Sequence, residues 1–321
     1  MIKVENLSKS FGPKLAVNNV SFTVERGEVL GFLGPNGAGK STTMRMITGF
    51  IPPTAGRVAV GGFDMLEQPI AAKGLLGYLP ENAPAYTDMT VKQFLEFAAE
   101  IRGFDGEAKK KAVHRVVEMC FLDSVYHQSV ETLSKGYRHR TCFAQAIIHD
   151  PDILVMDEPT DGLDPNQKHE VRGLIRRMGE KKAIIFSTHI LEEVDAACTR
   201  AIIIDRGQIV ANGTPGELRA KSDLAGVVSL QVKGATTGDL KNKLAEIPFA
   251  RRTAILREES YRVAARVYPN ANAPDGELAR AVSDVVLRSG WKLEELHTEE
   301  GRLDEVFRSI TMPDTKPEAK P

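Results

Sequence analysis

The sequence predicts an α/β chain: a domain built around a glycine-rich loop and parallel βαβ units, interrupted by a helical stretch and followed by a small α+β domain. Three observations predict it. "EVLGFLGPNGAGKSTTMRMITGF" runs from a strand through a glycine-rich turn into a helix. "DILVMDEP" and "AIIFSTH" flank the helical stretch "PNQKHEVRGLIRRMGE", which is parallel βαβ order. After Asp223 the apolar pattern changes to β-α-β-β-α-β.

The elements follow in order. "IKVENL" and "NVSFTV" alternate apolar and polar residues and read as strands before the glycine loop; "RVAVGG" and "LLGYLP" are short strands after it. From about 81 to 150 the pattern is helical. "TVKQFLEFAAEIR" starts on Thr90, and Val91, Phe94, Leu95 and Ala98 fall on one helical face. The run Lys109, Lys110, Lys111 in the next helix is a solvated face. "TRAIIIDRGQIVANG" is a hairpin turning at "DRGQ", and "TPGELRAKS" a closing helix capped by Thr214. "GVVSLQV", "TGDLKNKLAEI", "RRTAILR", "SYRVAARV", "PDGELARAVSDVVLRSG" and "KLEELHT" make the second domain, a ferredoxin-like arrangement, and "GRLDEVFRSI" a last helix. The predicted boundaries are 1–222, 223–310 and a polar, proline-rich tail at 311–321 that lacks the apolar residues to pack.

Composition narrows the classes. Lys plus Arg number 42 and Asp plus Glu 43, so no basic excess points to nucleic acid. The three cysteines are isolated and odd in number, which argues against a disulfide framework or a zinc site and for a reducing compartment. The N-terminus lacks an apolar leader, and no apolar run approaches the roughly 18 to 20 residues that span a bilayer. The chain is expected to be soluble by itself, with another chain doing any spanning.

Two motifs carry chemistry. Gly34, Pro35, Asn36, Gly37, Ala38, Gly39, Lys40, Ser41 and Thr42 fit G-x-x-x-x-G-K-[ST]. Glycines let backbone N–H groups close around phosphate oxygens, and the following helix turns its positive end to the same anion. Lys40 would bind the β- and γ-phosphates of ATP, and the Ser41 hydroxyl would ligate Mg²⁺. "ILVMDEP" delivers two carboxylates at a strand end, Asp157 to hold Mg²⁺ and Glu158 to polarise the attacking water as general base. His189, just after the strand "AIIFST", would position water and γ-phosphate.

"GPNGAGKST", "LSKGY", "ILVMDEP", "DGLD" and "STH", in that order and spacing, resemble the nucleotide-binding subunit of an ATP-binding cassette (ABC) transporter over roughly Met1 to Leu218. The resemblance implies a P-loop NTPase fold with a helical subdomain and an ATPase that works as a head-to-tail pair, either a homodimer or two paired subunits. Leu133, Ser134, Lys135, Gly136 and Tyr137 would be the signature that caps the ATP of the opposite subunit, and Asp164 the D-loop residue at that interface. Three features depart from the family. The usual signature is LSGGQ, so Lys135 adds a positive charge near triphosphate and Tyr137 replaces an amide. Glu81 stands where a glutamine ligates Mg²⁺; its carboxylate can bind the ion but adds negative charge beside ATP. Phe11 replaces the usual adenine-stacking tyrosine, and is either that stacking ring or an ordinary loop hydrophobe. "GYLPENAPAYTDMTV" and the appended domain are similar to ATPases of ABC-2-type exporters, including gliding-motility and drug- or polysaccharide-export systems. That resemblance implies integral-membrane permease partners and a place on the cytoplasmic face of the membrane. A soluble ABC ATPase acting on ribosomes or DNA is the alternative. Ribosome-acting members usually fuse two cassettes, and DNA-repair members insert long coiled coils between the Walker motifs; this chain has one cassette and a short helical insertion. A regulatory ligand-sensing role for the second domain is compatible with transport.

Overall fold

The computed structural model describes residues 1–82, 84–259, 262–274 and 276–311. The chain divides into one unit over Met1–Pro215 and a second over Gly216–Ile310. The proline-rich tail expected at 311–321 lies, beyond Thr311, outside the described residues.

In the first unit, β1 (Ile2–Phe11), β2 (Lys14–Val24), β4 (Ala55–Val60) and β5 (Phe63–Asp64) form an antiparallel sheet in the order β2-β1-β4-β5. The first two strands run further than their alternation suggested, because register shifts between Val4 and Ser10 break the two-residue period while the pairing continues to Phe11 and Lys14. The other strands are β3 (Val29–Leu33), β6 (Leu76–Leu79), β7 (Ile153–Asp157), β8 (Ala183–Thr188), β9 (Arg200–Asp205) and β10 (Gln208–Gly213). They form a six-stranded sheet ordered β10-β9-β3-β8-β7-β6, parallel except for the β9–β10 hairpin.

Strand alternation divides the core of this unit in two. Ile153, Val155, Ala183, Ile185, Leu30 and Phe32 join one apolar cluster; Leu154, Met156, Ile184, Phe186 and Val29 join the other. A strand buried on both faces reads as a continuous apolar run, which is what "AIIF" and "ILVM" are. Each Val, Leu, Ile, Met or Phe side chain among them contributes about 1.5–3 kcal/mol on burial. α1 (Lys40–Ile47) follows β3 through the glycine loop, and α2 (Pro69–Gly74) precedes β6. The helical stretch is α3 (Val91–Ile101), α4 (Gly106–Met119) and α5 (Lys135–Ile147). Thr90 starts α3 with a capping box: its hydroxyl accepts from Gln93 N, and the Gln93 side chain accepts from Thr90 N. α6 (Pro165–Gly179) and α7 (Leu191–Ala197) connect β7, β8 and β9.

α8 (Pro215–Arg219) is the predicted closing helix. The second unit contains β11 (Val228–Lys233), α9 (Thr237–Ala245), β12 (Ala250–Glu259), β13 (Arg262–Pro269), α10 (Glu277–Arg288), β14 (Lys292–Thr298) and α11 (Leu303–Ile310). The sheet order is β12-β13-β11-β14, antiparallel throughout. Each βαβ crossover is thereby split by a strand from the other, the ferredoxin-like topology. Val228, Leu230 and Val232 meet Val263, Ala265 and Val267, and with Leu240, Leu244, Val282 and Val286 close a separate core.

No helix among the described residues is long and apolar enough to cross a membrane.

Candidate functional site

The parallel sheet collects the site at the carboxyl ends of three neighbouring strands, where open α/β sheets bind ligands. β3 leads into the glycine loop, β7 ends at Asp157, and β8 ends at Thr188, one residue before His189. The register sets Leu33 beside Thr188 and Asp157 beside Ser187.

Gly39 caps α1 at φ 107°, and a Cβ there would stand 2.6 Å from the Ala16 carbonyl oxygen, so only glycine fits. Lys40 is 5% exposed. Its ammonium donates to the carbonyl oxygens of Gly34 at 2.8 Å and Pro35 at 3.2 Å and lies 3.7 Å from Glu158 Oε1. Burial lowers the Lys40 pKa, opposed by the charges of Glu158 and Asp157 and more weakly by Glu81.

Asp157 is 1% exposed. Its Oδ1 accepts hydrogen bonds from Ser41 Oγ at 3.0 Å and Ser187 Oγ at 2.5 Å. Its Oδ2 is buried and accepts none. A buried carboxylate oxygen without a donor suits a cation, and with the Ser41 hydroxyl bonded to the same carboxylate these residues fit Mg²⁺. Among the described residues no cluster of three or more His, Cys, Asp or Glu side chains could hold a metal alone. The protein would therefore supply few of the ion's ligands, as is usual where a nucleotide supplies others.

Glu158 adopts φ 50°, uncommon for a side chain with a Cβ. Its amide donates to Ser187 Oγ at 3.0 Å and to the Ser187 carbonyl at 3.2 Å. Its Oε2 lies 3.0 Å from His189 Nδ1. A carboxylate held between a lysine and a half-exposed imidazole can accept a proton from water and keep its orientation.

Phe11 closes β1, is 50% exposed, and lines the same cleft of about 360 Å³ as Asn36, Gly37, Gly39, Lys40, Ser41, Thr42, Glu81 and Glu158. Gly34, Pro35 and Ala38 complete the loop behind them, with Ala38 N donating to the Pro35 carbonyl. Glu81 is thus brought to the cleft. The half-buried Tyr78 phenol nearby is pushed up to about 12, by burial first and then by the Asp157 charge.

Residues 133–137 are not among those lining this cleft. Leu133 is buried in the core, and Ser134 caps α5, accepting from Tyr137 N at 3.3 Å. A Cβ on Gly136 would stand 2.4 Å from Gln167 Oε1, so the Gln167 side chain occupies the space the glycine leaves. The Lys135 ammonium donates to Asp161 Oδ2 at 2.8 Å, which holds the Asp161 carboxyl below its usual range. Tyr137 lies beside Ser124, its hydroxyl 3.3 Å from Ser124 Oγ, with the Arg140 guanidinium 5.6 Å from its ring. Asp164 caps α6, accepting from Gln167 N at 2.9 Å.

Sequence reasoning missed Ser187, which ties Asp157 to Glu158, and Asp161, which holds Lys135. A hydroxyl inside the otherwise apolar, fully buried run "AIIFST" was the available signal for the first. The three thiols are pushed up by burial, Cys120 and Cys142 to about 12, consistent with inert core residues.

A family model described as ABC transporter matches residues 17–161. The chain is 36% identical over 236 residues to the linearmycin resistance ATP-binding protein LnrL of Bacillus subtilis, an alignment covering 73% of this chain and 76% of that protein. It is 35% identical over 261 residues to the Nod factor export ATP-binding protein I of Burkholderia lata, covering 80% and 84%. A solved structure of the ATP binding subunit of an ABC transporter superposes with a TM-score of 0.64 at 27% identity, over 69% of this chain and 92% of that one.

Proposed function

The chain belongs to the ABC transporter family and is an ATPase, and we propose that it drives export across a membrane by ATP-dependent, head-to-tail pairing beneath a permease. In this reading the glycine loop and Lys40 take up the phosphates, with Phe11 stacking on adenine. Ser41 and Asp157 hold Mg²⁺, which neutralises phosphate charge when bound. Glu158 takes the proton from the attacking water, and His189 orients Glu158 and the γ-phosphate. The signature residues Ser134, Lys135 and Gly136 act on the nucleotide of the second subunit, a homodimer partner or a paired nucleotide-binding subunit. Their absence from this chain's own cleft supports action in trans. So does the N-terminus of α5, whose positive end suits a phosphate. ATP then holds the two subunits together, and hydrolysis releases them.

One observation carries the permease reading. Pro84, Ala85, Tyr86, Phe94, Phe97 and Ile101 line an apolar groove of about 720 Å³ on the helical stretch after Glu81. Tyr86 is 54% and Ile101 68% exposed, an apolar surface of the kind that marks a docking site. A permease segment seated there would place the chain on the cytoplasmic face of the membrane. The relatives' printed roles, resistance and export, favour outward transport. A net charge of −1 disfavours the alternative of a soluble ATPase acting on nucleic acid or ribosomes.

The test is Glu158→Gln, purified with ATP from detergent-solubilised membranes. Hydrolysis is expected to fall by about 10²- to 10⁴-fold, with ATP still bound, a trapped dimer, and stoichiometric recovery of a polytopic permease. Recovery of the soluble dimer alone, or of ribosomes, would overturn the transport reading. Hydrolysis near the wild-type rate would remove Glu158 as the base.

A further inference from the structure

We propose that Glu193 is a positioning residue for hydrolysis: its buried carboxylate joins the segment that follows Glu158 to the segment that carries His189, and so sets how those two side chains face each other. The inference rests on the reading of Glu158 and His189 as the pair that activates water. Glu193 lies in the first turn of α7 and is 1% exposed. Both its oxygens are engaged. Oε1 accepts from Thr160 Oγ1 and lies 3.5 Å from the Arg172 guanidinium; Oε2 accepts from Thr188 Oγ1 at 2.7 Å. Thr160 is two residues beyond Glu158, and Thr188 immediately precedes His189. Thr188 Oγ1 also accepts from Ile190 N at 3.0 Å, so the backbone on both sides of His189 is tied to the same carboxylate.

Two physical points favour positioning over filling. A buried carboxylate is costly, and an apolar side chain of the same volume would usually serve stability as well or better. Here the carboxylate brings two directional acceptors, each used by a different loop. The segment it holds also contains Glu158 in the left-handed region, a conformation that persists only where the surroundings fix it. Arg172 on α6 supplies the opposing charge at 22% side-chain exposure. An amide keeps only one of the two acceptors: its nitrogen donates, so one of the two threonine hydroxyls loses its acceptor, and the charge facing Arg172 is lost.

The test is steady-state ATPase kinetics with nucleotide affinity measured separately, on the full chain carrying Glu193→Gln, Thr188→Val or Thr188→Ser. Glu193→Gln is expected to lower kcat about tenfold or more while KM for ATP and the Kd for ADP stay within about twofold. Thr188→Val should act in the same direction, and Thr188→Ser, which keeps the hydroxyl, should restore the rate. Added to His189→Ala, Glu193→Gln should cost less than about a further twofold, since the pair is already broken. Three results would each overturn the proposal: kcat within about twofold of wild type in folded Glu193→Gln, kcat and affinity falling together, or the full loss recurring on top of His189→Ala. If Glu193→Gln does not fold, the Thr188→Val and Thr188→Ser pair decides the same question, equal rates overturning it. Failure of the underlying reading looks different. There His189→Ala and Glu158→Gln would themselves leave kcat intact, and the proposal would fall with the pair.

Discussion

Replacing Ser187 by alanine tests the joint on which the acidic end of β7 is built. Ser187 is fully buried; it donates to Asp157 Oδ1 at 2.5 Å and accepts from Glu158 N at 3.0 Å. Alanine removes one of the two donors to a buried carboxylate and leaves Ser41, at 3.0 Å, as the other. The Glu158 amide keeps the Ser187 carbonyl at 3.2 Å, so that donor is not orphaned. What is lost is one charge-assisted hydrogen bond, about 1.5–3 kcal/mol. For a unit the size of Met1–Pro215 each kcal/mol moves the melting temperature by about 2–4 °C, so a fall of about 3–12 °C is expected. Differential scanning calorimetry of nucleotide-free protein reads it directly. The cost should shrink to about 0.5–1.5 kcal/mol in an Asp157→Asn background, where the acceptor is neutral. A melting shift below about 1 °C, or the same cost in both backgrounds, would refute the claim that Ser187 acts through the Asp157 charge.

Two further outcomes are expected. Lys40→Met removes the ammonium at constant bulk. Losing its bonds to phosphate should weaken ATP binding by at least about 10²-fold in isothermal titration calorimetry, and an unchanged Kd would take Lys40 out of the phosphate site. The second concerns pH. Burial pushes His139 from 6.5 down to about 4, and its Nε2 is buried without a partner. A depressed imidazole pKa means that below about 6.5 the unfolded chain takes up a proton the folded chain refuses. This contribution to stability is therefore intact at neutral pH and lost progressively as pH falls from about 6.5 to about 4. Denaturant titrations of His139→Gln against wild type should show a shallower fall over that window; parallel curves would place the titration elsewhere.

Most of the fold was legible because its signals are local. Apolar runs announced β7 and β8, Thr90 with the helical spacing of Val91, Phe94, Leu95 and Ala98 announced α3, and the β-α-β-β-α-β succession left few arrangements for the second unit. The glycine loop and "MDEP" could be singled out as a candidate site because phosphate binding and water activation call for residue types that packing alone seldom asks for. What could not be read depends on neighbours distant in sequence. The Lys135 charge is already engaged by Asp161, 26 residues on. Tyr137, which replaces an amide in the signature, lies against Ser124 with Arg140 beside its ring. Glu193 is one of two acidic residues in the first turn of α7, and only the fold shows it buried between Thr160 and Thr188.

The strand order of the second unit has a consequence for how the chain is made and how it can be cut. Val228, at the start of β11, pairs directly with Thr298, at the end of β14. The Gly226 amide bonds to the Glu299 carbonyl at 2.9 Å and the Glu299 amide to the Val227 carbonyl at 2.8 Å. The polypeptide therefore comes in and goes out side by side, about one strand spacing of 4.8 Å apart. On the ribosome β11 can pair with β13 first, and its other flank stays bare until the last strand emerges, so this sheet is completed only at its end. In the test tube the same closeness makes the segment removable: its two ends could be rejoined by a tight turn without stretching the backbone.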